Sequence, residues 1–142
     1  MSKRNLARKM AMQELYRQDL LQEEEASIEK LRKNLGDRTK KEEIIDFAIR
    51  LIQGYQAHKE EIDSMISQHL ENWKLERLSF IDRNILRLGV YELIYCEDIP
   101  HQVTINEWVE IAKTYSTFKS GSFINGVLDK IYRKKTEVVK EG

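Results

Sequence analysis

One proline, Pro100, interrupts 142 residues in which apolar side chains return every three or four positions. That spacing lines one face of an α-helix and cannot serve a strand, whose faces alternate every second residue. With only six glycines besides, turn formers are too scarce for an all-β sandwich or barrel. The length fits one domain. An apolar share of 41% supplies a core and argues against wholesale disorder. The expectation is an all-α fold, a compact bundle of six or seven helices. It divides into two small sub-bundles over about 1–72 and 73–135, with 136–142 frayed.

The first helix is expected over about 4–20, with Leu6, Ala7, Met10, Ala11 and Leu15 toward one side. A second spans about 25–35, with Ile28, Leu31 and Leu35 inward and Gly36 closing it in the left-handed conformation. Thr39 and Glu42 fit a capping box ahead of a long third helix, about 40–71, whose apolar spacing lapses near His58. Trp73 marks a joint. The fourth helix, about 77–96 and capped near Ser79, is apolar nearly all round, the pattern of a central helix. Asp98-Ile99-Pro100 stops it. Thr104 and Glu107 suggest a second capping box for the fifth helix, with Trp108 in the core. A polar connection over 116–122 precedes a last helix opened by Phe123.

Catalytic signals are absent. His58, His69 and His101 have no partner at the spacing of a zinc motif. His69 lies on the apolar stripe and reads as a hydrogen-bonded core histidine. Cys96 has no adjacent base and reads as a buried thiol. There is no glycine-rich phosphate loop, and carboxylates are spread as on any solvated helical surface. The expectation is a chain that is no enzyme and needs no metal or cofactor. No apolar run approaches the ~20 residues that span a membrane, and Met1 to Asn5 lacks the apolar stretch of a secretory signal. A lone cysteine suits a reducing cytoplasm.

Twenty-four basic and 24 acidic residues cancel, so the distribution carries the information. Lys3, Arg4, Arg8 and Lys9 crowd the first nine residues with no acid among them. On a helical wheel Met12 and Tyr16 fall between Arg8 and Lys9. An outward-facing cationic side with an aromatic beside it can hold phosphates by charge and a base by stacking. The same pattern also fits an ordinary solvated face with Tyr16 tucked against a neighbour, or an aromatic anchor for a protein partner.

Ordered segments along nearly the whole chain carry a resemblance. They are Arg8 to Tyr16, Ile62-Asp63, Trp73 to Leu78, Ile81 to Leu88, Tyr91 to Leu93, Asp98 to Pro100, Ile105 to Glu107, Glu110 to Lys113 and Phe123 to Asp129. Together these resemble the NusB family of bacterial transcription antitermination factors. The resemblance implies an all-helical fold of two bundles and a non-enzymatic role. The implied partners are the boxA segment of nascent RNA, the ribosomal protein NusE and, indirectly, RNA polymerase and other Nus factors, with a homodimer also open. It carries RNA contact onto Lys3, Arg4 and Arg8, more loosely onto Lys9, and onto Phe123 and the connection before it, which holds Lys119. It carries contact with NusE onto Tyr16, Glu76 and Asp82. Asn5 and Leu6 interrupt the arginine cluster found in many relatives, and Lys119 stands where an acid is frequent. Two other readings stay open: a NusB-like domain associated with a ribosomal RNA methyltransferase, and a helical adaptor for proteins alone. With no cofactor-binding domain after Gly142, the independent factor is the favoured reading.

Overall fold

The computed structural model describes residues 2–71 and 74–141, with side chains to 137. Among the described residues it holds α1 (Lys3–Leu21), α2 (Ile28–Gly36), α3 (Glu42–Ala57), α4 (Lys59–Gln68), α5 (Phe80–Tyr95), α6 (His101–Tyr115) and α7 (Phe118–Glu141). A single 3₁₀ turn, Leu75–Arg77, leads into α5. The expected all-α class holds, with no strand among these residues. Trp73, the expected joint, lies outside the described residues.

α5 is the axis of the molecule, as its all-round apolar pattern predicts. It touches α1, α3, α4, α6 and α7. Ile85, Leu86, Leu88 and Val90 are fully enclosed, and burial of such side chains contributes about 1.5–3 kcal/mol each. Its start is capped as expected: the Asp82 amide donates to Ser79 Oγ at 3.1 Å. Its end is closed from outside, because Lys135 on α7 donates to the Ile94 carbonyl at 3.0 Å. A cation there also opposes the negative end of the helix dipole. α1 runs antiparallel to α5: Arg8 meets Glu92 near one end, and Asp19 meets Arg83 near the other. Trp108 is in the core, as expected.

Several local expectations are corrected. The long third helix breaks at His58, which closes α3 and opens α4 with φ −121° and ψ 24°. The lapse in apolar spacing leaves nothing to hold a straight helix there. The bend turns Ile62 and Ile66 into the core, and the His58 ring stacks on Tyr95 at 4.1 Å. Gly36 stays right-handed as the last residue of α2, and no glycine among the described residues has positive φ. The loose ends of α2 are met instead by the Asp37 and Thr39 amides and by Lys40, which donates to the Gly36 carbonyl at 2.8 Å. Ile28 is exposed.

Neither proposed capping box forms. Lys41 opens α3 without a side-chain cap, and Thr39 accepts only from the Lys41 amide. Thr104 lies inside α6, which starts at His101 beyond Pro100, and its hydroxyl points into the core. The connection before the last helix shrinks to two residues, Ser116 and Thr117, and α7 begins at Phe118. Residues 136–141, expected to fray, continue α7.

Candidate nucleic-acid interface

α1 is more enclosed than its sequence suggests, and this redistributes the cationic residues. Arg8 is 2% exposed, and Glu92 beneath it is sealed at 0%. Arg8 donates twice to that carboxylate, from Nε at 2.8 Å and Nη2 at 2.9 Å. Thr104 Oγ1 at 2.5 Å and Trp108 Nε1 at 3.1 Å donate to the same group. Four donors satisfy the carboxylate, and the bidentate fork fixes both partners. The expectation that Arg8 faces outward is therefore corrected: its guanidinium ties α1 to α5 and α6. Met12, placed beside the basic side on the wheel, is a core residue.

Arg4, one turn earlier, remains half-exposed, with a side chain at 50%. Its guanidinium carbon stands 4.9 Å from the centre of the Phe47 ring, and a nitrogen lies 3.5 Å from Asp98. Arg50 of α3 converges on the same place. It lies 5.9 Å from the Phe47 centre and donates to Asp98 at 2.7 and 3.3 Å. Arg50's bonds, with lesser help from the charge of Arg4, depress the Asp98 carboxyl to about 2. Lys3 pairs with Glu43 at 3.0 Å across a shallow hollow of about 380 Å³ lined by Lys3, Arg4 and Arg50, by the carboxylates Glu43 and Asp46, and by Phe47. Lys9 is half-buried and is engaged within the fold. Arg50 was missed by sequence reasoning. Its one local signal is its place three residues after Phe47, the spacing of facing helical neighbours.

The other expected residues lie at the far end of α5, about 20 Å away at 1.5 Å per residue. Lys119 is exposed on the first turn of α7. Phe123, one turn on, is half-buried against the core. That turn is fastened to α5 through Ser120, whose hydroxyl donates to Asp82 Oδ2 at 3.0 Å. Tyr16 meets the Phe80 ring edge-on, at 6.4 Å between centres. Glu76 is exposed on the 3₁₀ turn, and its carbonyl accepts from Arg83. Tyr16, Phe80 and Asp82 thus gather around the start of α5, while Lys3 and Arg4 stand at the opposite end.

Between the two ends runs a polar network. Asp19 accepts from Arg83 twice at 2.6 Å and from Asn84 at 2.9 Å. Burial alone would raise the Asp19 carboxyl, but these bonds outweigh it and hold it below the ordinary value. Arg87 links Asp19 to Asp63, which also accepts from the Tyr55 hydroxyl at 2.9 Å. These arginines are spent on internal pairing. His69 is half-buried, with its Nδ1 2.8 Å from the Met65 carbonyl. Among the described residues no cluster of His, Cys, Asp and Glu could hold a metal ion, and no helix is long and apolar enough to cross a membrane.

The model of the NusB family matches residues 5–133. The chain belongs to the NusB family. It is 49% identical over 129 residues to the transcription antitermination protein NusB of Bacillus cereus strain B4264, covering 91% of this chain and 96% of that one. Among solved structures, T. maritima NusB superposes with a TM-score of 0.82 at 38% identity, covering 94% of this chain and 92% of that one. The NusB in a crystal structure of antitermination factors NusB and NusE with double-stranded RNA superposes equally well, at 0.82 and 35% identity, covering 94% of this chain and 98% of that one. The NusB fold thus leaves Arg4 and Lys119 open to solvent in this chain while enclosing Arg8.

Proposed function

We propose that this chain is a non-catalytic antitermination factor that works in the bacterial cytoplasm. It holds the boxA segment of nascent ribosomal RNA together with NusE, in a complex carried by RNA polymerase. The observation that carries the reading is the half-exposed Arg4 beside Arg50 over Phe47, in a family whose solved members include a complex with NusE and RNA. Two guanidiniums sharing one exposed carboxylate can exchange it for a phosphate at small cost, since exposed pairs contribute little. Lys3 and Lys119 extend the cationic contact to either end. Tyr16, Glu76 and Asp82 form the surface for NusE, adjoining the Lys119 end through the bond from Ser120 to Asp82.

Alone, a neutral chain with a small cationic patch binds RNA loosely. With about four phosphate contacts, the log–log salt slope for a single strand is roughly −3. NusE lengthens the RNA surface, and each ligand then raises the affinity for the other by the same factor. Fluorescence anisotropy with a boxA-like RNA, with and without NusE, tests this. Charge reversal at Arg4 and Arg50 should weaken RNA binding with helical content unchanged, and Glu76→Lys, on the exposed 3₁₀ turn, should weaken NusE binding first. Equal affinity for scrambled RNA, with and without NusE, would defeat the reading.

A further inference from the structure

Phe118 is 75% exposed, the most exposed of the large apolar side chains among the described residues. Its position is built. Thr117 Oγ1 caps α7 by accepting from the Ser120 amide at 3.0 Å, and Ser120 is buried with its hydroxyl on Asp82. The first turn of α7 is therefore pinned to α5, which fixes the backbone that carries Phe118 at the start of the helix. Lys113 of α6 holds its ammonium 5.4 Å from the ring centre. Its stem reaches there by lying across Gly121, where an added Cβ would come within 2.8 Å of Lys113 Cγ. Glu110, at 3.3 Å, is the carboxylate paired with that ammonium. Lys119, the next residue of α7, is exposed, and the whole arrangement sits at the positive end of a 24-residue helix.

We propose that Phe118 is a stacking platform for one unpaired base of the bound RNA, with Lys113 steadying one face of the ring and Lys119 meeting the adjoining phosphate. The inference rests on the RNA reading and adds to it a residue and a mode of contact. An exposed ring by itself would serve a protein partner as well. Two lysines and a helix N-terminus around it favour an anionic ligand, and a protein would have to bury both ammoniums. The open face of the ring suits a base, since every base has a flat surface and stacking tolerates sequence.

The test uses the full chain with NusE and a fluorescein-labelled single-stranded boxA-like RNA. Phe118→Ala should weaken RNA binding about 5- to 150-fold, the range seen when a stacked aromatic is removed. It should leave the salt slope and helical content unchanged, and Phe118→Trp should restore affinity. Lys119→Ala should instead reduce the salt slope by about 0.7, the share of one phosphate on a single strand. Replacing nucleotides one at a time by abasic sites should reveal one position whose loss weakens the unaltered chain but costs Phe118→Ala nothing, the signature of a coupled pair. If the unaltered chain binds RNA and Phe118→Ala binds it equally, the platform is overturned and the RNA reading stands. If Phe118→Ala weakens NusE binding without RNA, the ring belongs to the protein partner. No RNA binding by the unaltered chain, alone or with NusE, overturns both.

Discussion

Replacing Arg8 with alanine separates a residue that holds RNA from one that holds the fold. The change removes both guanidinium bonds to Glu92 and leaves a carboxylate that is 0% exposed with only Thr104 and Trp108 as donors. Breaking a buried ion pair by deleting one partner costs about 3–5 kcal/mol, because the surviving charge stays desolvated. Against a total of about 5–15 kcal/mol for a typical domain, that is a large share. With an m-value of about 2 kcal/mol/M, the urea midpoint should fall by roughly 2 M. Glu92→Gln should cost a similar amount by stranding the Arg8 charge. The double variant Arg8→Met with Glu92→Gln should be less damaged than the sum of its parts, since no buried charge remains. Circular dichroism in urea measures stability, and anisotropy with RNA is then read under conditions where each variant stays folded. Folded Arg8→Ala should bind RNA with an unchanged salt slope. An unchanged urea midpoint together with a shallower salt slope would refute the argument and place Arg8 against phosphate.

Gly54→Ala puts a Cβ 1.9 Å from the Tyr91 ring, which is stacked on Tyr95 at 5.4 Å between centres. Overpacking of this kind costs about 1–3 kcal/mol. Thermal denaturation should show a lower midpoint, and a rise reflecting alanine's helix propensity would show that the ring moves aside freely. Asp98→Asn releases Arg4 and Arg50 from their shared carboxylate, so RNA affinity should rise and the salt slope steepen; unchanged binding would mean that Asp98 does not restrain them. Because the Asp98 carboxyl is depressed to about 2, its stabilising contribution is full above the ordinary aspartate value of about 3.9 and is lost as pH falls through about 2. The stability difference between Asp98→Asn and the unaltered chain should therefore close over that window in acid titrations. Burial raises the Cys96 thiol to about 11, overcoming the nearby charge of Arg50. Iodoacetamide should label it slowly at pH 8 until urea unfolds the chain, and rapid native labelling would show an accessible thiolate.

Features within reach of a few residues were legible in the sequence. The 3–4 spacing of apolar residues determined an all-helical chain, the continuous apolar surface of residues 78–94 marked the central helix, and Ser79 marked its start. Those signals are local: a helical stripe and a cap depend on neighbours three or four positions away. The family likeness was legible too, because it is a matter of ordered residues alone. What lay beyond was decided by partners far apart in the chain. Arg8 reads as a surface cation until Glu92, 84 positions later, receives it. Thr104 reads as a cap until the same carboxylate draws its hydroxyl inward. Ser120 and Gly121 read as loop until Asp82 and the stem of Lys113 cover them and begin α7 five residues early, which turns Phe118 outward. A charged or polar side chain has no fixed address in a helical pattern. Burial is open to it only where the fold supplies an opposite charge or a hydrogen-bond partner, and that supply exists only after the helices have packed.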